Sequence, residues 1–114
     1  MKISLLADEF QRLICTVDDG AVPVTVTASD PGAASHLVSA IDDAAREGSG
    51  ECFWEEGGGE YRWMLRREGA KLRVVVLWCT GTLTGWETVL WRECDLENFQ
   101  TQVQAEAARL QPVS

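Results

Sequence analysis

The sequence predicts an α+β domain over residues 1–114. It comprises an antiparallel meander of about four central strands, an N-terminal hairpin and two helices, in the order ββαββββα. Three observations carry that expectation. Residues 51–93 hold all five tryptophans, Trp54, Trp63, Trp78, Trp86 and Trp91, and the branched run Val74-Val75-Val76-Leu77. Aromatic and β-branched residues suit a pleated, half-buried surface. Gly57-Gly58-Gly59, Gly69 and the segment 80–85 interrupt this stretch as turns do. An amphipathic stripe lies on either side of it in the chain, with apolar residues three and four apart.

In chain order, residues 2–6 suit a short strand. Residues 10–17 and 21–28 read as a hairpin around Asp18-Asp19-Gly20, although 8–14 also reads as a helical turn. Val22, Val24 and Val26 alternate with Pro23, Thr25 and Thr27, which puts one face in and one out, and Pro23 suits an edge or a strand start. The first helix covers residues 31–47. Ser29 or Asp30 caps it and Pro31 sits in its first turn. Ala34, Leu37, Val38, Ile41 and Ala45 form its stripe, and Gly48-Ser49-Gly50 ends it. The last helix covers residues 96–110, opening at Asp95, with Leu96, Phe99, Val103, Ala107 and Leu110 as its stripe and Pro112 as its stop.

The turns set the register of the meander. A two-residue loop at Gly69-Ala70 pairs Arg67 with Leu72, Leu65 with Val74, Trp63 with Val76, and Tyr61 with Trp78. That face is apolar and is the expected core face. The other pairs Glu68 with Lys71, Arg66 with Arg73, Met64 with Val75, and Arg62 with Leu77, setting arginines among apolar side chains. Continued through the glycine loop, the pattern puts Phe53 opposite Trp63 on the core face and Trp54 opposite Arg62 on the mixed face. A Trp54–Arg62 cation–π contact is worth roughly 0.5–1 kcal/mol when exposed. For the fourth strand, 86–93, a shift of one residue moves Trp91 from one face to the other. The order of elements resembles that of longin and roadblock-type domains and of several small bacterial immunity proteins, a likeness of fold that carries no function by itself.

Composition narrows the function. Hydrophobic residues make up 46% and charged residues 25%, an ordinary globular balance. The net charge of −8 disfavours nucleic acid, whose phosphates demand basic surface, and suits a basic protein partner. Residues 1–50 carry eight acids and three bases, while residues 51–93 carry seven acids and six bases. The opening MKISLLADEF is too short and too acidic to read as a signal peptide, and no run approaches the ~20 apolar residues of a membrane span. A cytoplasmic location is expected. Cys15, Cys52, Cys79 and Cys94 form no closely spaced pair, so reduced core thiols are expected rather than disulfides or zinc ligands.

No motif names a reaction. His36 is the single histidine and falls off the apolar stripe, beside Ala40 and Asp43. Gly57-Gly58-Gly59 lacks the lysine and hydroxyl of a phosphate loop. Glu55, Glu60 and Glu56 flank that loop as solvated charges. No catalytic residue, cofactor or metal is expected. The unusual feature is the mixed face, with Trp54, Arg62, Met64, Arg66, Arg73, Val75 and Leu77. Either the N-terminal hairpin folds over it or it is a contact surface, since Trp, Met and Arg are enriched at interface cores. The expected function is therefore a non-catalytic acidic protein that binds a protein, whether as a homodimer or as an inhibitor or adaptor of the immunity type. The alternative is a small-molecule binder or enzyme with a tryptophan-lined pocket between sheet and helices.

Overall fold

Two antiparallel sheets and two helices make up the structure, a computed structural model that describes residues 1–80 and 85–110. The elements are β1 (Lys2–Ala7), β2 (Leu13–Asp18), β3 (Val24–Ala28), α1 (Ala33–Glu47), β4 (Ser49–Glu56), β5 (Gly59–Glu68), β6 (Lys71–Cys79), β7 (Glu87–Asp95) and α2 (Leu96–Leu110). One sheet has the order β1-β2-β3 and the other β4-β5-β6-β7. The α+β class and the order of elements are those the sequence predicts, with the strand near residues 2–6 joining the hairpin in one three-stranded sheet.

The β5–β6 hairpin pairs Tyr61 with Trp78, Trp63 with Val76, Leu65 with Val74 and Arg67 with Leu72, as its loop dictates. Gly69 takes φ 63°, the left-handed conformation that a tight hairpin asks of glycine. The β4–β5 turn differs from expectation. Glu56 pairs with Gly59, so the loop is Gly57-Gly58 and the third glycine belongs to the strand. The ladder moves by one residue: Cys52 faces Trp63, Phe53 faces Arg62 and Trp54 faces Tyr61. Because side chains alternate, this shift exchanges the two faces of β4. Trp54 is therefore a core residue at 0% exposure, and Phe53 stands outside at 44%.

The two strands of the N-terminal hairpin are shorter than the sequence suggests. Val17 pairs with Val24, leaving five residues between β2 and β3, and Val22 is exposed in that connection. Residues 8–12 form a turn in which Asp8 Oδ1 accepts from the N–H groups of Phe10 and Arg12. The start of α1 differs too. Its N-cap is Gly32, without a side-chain cap, while Asp30 Oδ1 accepts from Gly32 N at 2.9 Å. The helix closes at Gly48, φ 97°. Asp95 opens α2, its Oδ2 accepting from Asn98 N at 2.9 Å. Pro112, expected to stop α2, and residues 81–84 of the expected turn lie outside the described residues.

A single cluster of buried residues draws on every element. Leu37 and Ile41 of α1, Phe99 and Val103 of α2, and Leu5, Leu13 and Val26 of the small sheet join Trp54, Trp63, Leu65, Val74, Val76 and Leu90 of the large one. Ala40 belongs to the buried side of α1, where a Cβ at Gly50 would overlap its carbonyl oxygen. The outer edge of β1 is occupied by side chains of α2. Gln102 Oε1 accepts from Ile3 N, Glu106 Oε1 accepts from Leu5 N, both at 3.0 Å, and Arg109 donates to Leu5 O at 3.2 Å. Unpaired strand edges invite other chains, and here a helix supplies the missing partners. No described helix is long and apolar enough to cross a membrane.

Candidate functional site

Helices and small sheet join the core from one side of the large sheet, and its other face stays open. Strand register arranges this face in rows. Ser49, Arg66, Arg73 and Glu93 form one row, and Glu51, Met64, Val75 and Trp91 the next. Phe53, Arg62, Leu77 and Thr88 follow. The last row is set by an irregularity: Val76 faces Leu90 but Leu77 faces Thr88, leaving Val89 as a bulge. That bulge accounts for Trp91 reaching the open face, where it is 51% exposed, next to Val75 and to Met64 at 38%.

Six of the seven residues expected on the mixed face are on it: Arg62, Met64, Arg66, Arg73, Val75 and Leu77. Trp54 is the correction, and with it the expected Trp54–Arg62 contact. Arg62 instead lies 5.6 Å from the ring centre of Phe53 and 5.9 Å from that of Trp86. Its guanidinium also donates twice to Glu51 Oε2, at 3.1 and 2.7 Å. Trp86 and Phe53 approach each other with ring centres 6.5 Å apart. Phe53, Trp86, Trp91 and Glu93 are the residues that sequence reasoning left off this face. The length of the glycine loop decides the first, and the bulge the last two.

Beside this cluster runs a shallow groove of about 600 Å³, lined by Ser49, Gly50, Glu51, Met64, Leu65, Arg66, Arg73, Val75 and Trp91. Met64, Val75 and Trp91 contribute to its apolar lining. Arg66 and Arg73 stand directly opposite each other along it. Arg73 is compensated, with Nη2 at 2.7 Å from Glu68 Oε1 and its guanidinium 5.7 Å from the Trp91 ring. Arg66 and Glu93 form no ion pair with any described residue.

The interior offers less chemistry. Trp54 and Trp63 pack with ring centres 5.0 Å apart and fill the space between sheet and helices. Burial pushes the Cys52 thiol up to about 12, against a smaller opposing pull from Trp54, and the Cys94 thiol up to about 11. Burial also raises Cys15. Cys15, Cys52 and Cys94 are free thiols. Among the described residues no group of three or more His, Cys, Asp or Glu is placed to hold a metal ion. His36 is exposed on α1. Glu55 and Glu60 face each other across β4 and β5.

These features define an α+β protein with one sheet face packed and one open. Comparison with protein-family models, with curated proteins and with solved structures finds no match.

Proposed function

We propose that this protein acts by protein–protein contact, without catalysis, through the open face of its four-stranded sheet. The supporting observation is the strip Met64–Val75–Trp91, in which Met64 and Trp91 are exposed and Val75 is half-buried, set between the Arg66–Arg73 pair and the Arg62–Phe53–Trp86 cluster. Aromatic residues, methionine and arginine concentrate where interfaces bury their centres. A self-contained sheet usually turns polar side chains to water on its free face. This one holds large apolar side chains there, next to a well-filled core that has no need of them.

A small-molecule site is the second reading, favoured by the groove's volume of about 600 Å³, which falls within the usual ~300–1,000 Å³ of ligand pockets. Such pockets bury most of their ligand, and a groove on a flat sheet face does not.

The test is affinity capture from extract of the source cells, comparing the wild type with Met64→Asp/Trp91→Asp. Both side chains stand outside the core, so the variant should keep its circular dichroism spectrum. A protein, whether this chain or another, should be retained by the wild type and lost with the variant. Identical retention by a folded variant would remove the open face from the function.

A further inference from the structure

We infer that the outer edge of β7 takes an extended, basic segment of a partner protein as an added strand, antiparallel to β7. The inference goes beyond the open face to the strand that bounds it. Its basis is the hydrogen-bonding capacity left over at that edge.

The Gly69-Ala70 loop makes Glu68 and Lys71 a hydrogen-bonded pair. Such pairs alternate along an antiparallel ladder, so the N–H and C=O groups of Leu72 and Val74 turn toward β7. There they meet Cys94 and Arg92. The backbone groups of Trp91 and Glu93, which alternate with these two, turn outward. Trp91 O accepts from Arg92 Nη1 at 2.8 Å. The Trp91 N–H and both backbone groups of Glu93 have no hydrogen-bond partner among the described residues. The other sheet edges differ. Side chains of α2 occupy the edge of β1, and Ser29 N, at the end of β3, donates to Glu55 O of β4 at 2.8 Å.

A recess of about 180 Å³ lies along the same edge. Its lining includes Arg92, Glu93, Cys94 and Asp95, four consecutive residues of β7, with Asn98 and Phe99 of α2. Strand side chains alternate between faces, so consecutive residues share a recess only at the strand's edge. Peptides that add a strand use this combination: the main chain pairs with the edge, and alternate side chains enter pockets beside it.

Charge sets the partner. Glu87, Glu93 and Asp95 of β7 form no ion pair with any described residue. Arg73 faces Glu93 across the ladder but is held by Glu68, and Lys71 faces Asp95 without an ion pair. Arg92, the one base of β7, is paired with Asp19. An antiparallel neighbour reading Lys-x-Lys-x-Val sets its lysines beside Asp95 and Glu93 and its valine beside Trp91. Opposite charges and apolar pairs across strands are stabilising. A second copy fits this edge badly, since β7 against β7 brings the three acids of each chain into one ladder.

The probe is the capped peptide Thr-Lys-Thr-Lys-Thr-Val-Thr, titrated to millimolar concentration into isotope-labelled protein and followed by NMR. The amide signals of Trp91 and Glu93 should shift, and their hydrogen exchange should slow. A peptide with glutamate in place of both lysines should bind at least about tenfold more weakly. N-methylation of the second lysine removes the bond to Glu93 O and should weaken binding roughly fivefold. Glu93→Gln, checked for folding by circular dichroism, should weaken it by about two- to fivefold. A peptide that shifts no β7 amide overturns the inference, as does a glutamate or N-methylated peptide that binds as well as the first. So does a wild type whose Trp91 and Glu93 amides are already protected by a second copy. If the peptide leaves β7 untouched while capture still separates the wild type from Met64→Asp/Trp91→Asp, the open face keeps its role and the edge loses this one.

Discussion

Glu56 pairs with Gly59 across the β4–β5 turn, and this one pairing decides which aromatic residue of β4 is buried. With Gly57-Gly58 as the loop, Trp54 enters the core against Trp63 and Phe53 joins Arg62 outside. A register one residue different would reverse both, because strand side chains alternate.

The first prediction follows from that alternation. Trp54→Ala empties a fully buried site and should cost about 3–5 kcal/mol. Phe53→Ala removes a half-exposed ring and should cost less than about 1 kcal/mol. Urea unfolding of the two variants checks this, and equal losses would contradict the register.

Gly59 carries the second prediction. A Cβ there would overlap the Cys79 carbonyl oxygen and come within 2.8 Å of the Trp78 ring. Gly59→Ala must displace strand β6 or the indole, at about 1–3 kcal/mol. Gly58→Ala meets nothing within 4 Å and should be close to neutral. A shift in the urea midpoint for Gly59→Ala alone is the expected outcome.

How much of this was legible in the sequence depended on how local the deciding feature is. The β5–β6 register was readable because Gly69-Ala70 admits one tight loop. Three consecutive glycines can close a loop of two residues or of three, and composition cannot choose between them, so Trp54 was assigned to the wrong face. The side on which Trp91 stands depends on the Val89 bulge, an inserted residue that no periodicity announces. Ser29 and Asp30 looked like caps because Pro31 follows, but Asp30 instead holds the turn that precedes the helix. The covering of β1 by α2 joins residues about a hundred positions apart, beyond the reach of any local signal.

Thiol reactivity gives the third prediction. Burial raises the thiols of Cys15 and Cys52, the latter to about 12, and thiolate is the species that alkylates. Iodoacetamide at pH 8 should leave both unmodified in the native protein and reach all four cysteines once it is unfolded. Mass spectrometry of intact and digested protein reads the difference. Rapid native modification of Cys15 would contradict its place in the core.

The fourth prediction concerns acid. The Glu106 carboxyl is held below its ordinary 4.5, first by the hydrogen bond from Arg109 and then by Leu5 N–H. Thr27 and Arg12 outweigh the burial that would raise Glu56 and hold it low as well. The Ala21 N–H, followed by Arg92, does the same for Asp19. A carboxyl whose folded pKa lies below its unfolded value contributes stability that is fully present above the unfolded pKa and is lost as pH falls through the folded one. Stability should therefore be flat from about pH 8 to pH 5 and fall below about pH 4.5. Glu106→Gln should lower stability at pH 7 and flatten this acid limb. The glutamine can still accept from Leu5 N, but it loses the charge that attracts Arg109. Glu106→Ala should lower stability further, because it also leaves Leu5 N at the strand edge without its acceptor. Thermal melts of the three proteins at pH 3, 5 and 7 check the order. An acid limb as steep in Glu106→Gln as in the wild type would mean that the contact between α2 and β1 is not held by charge.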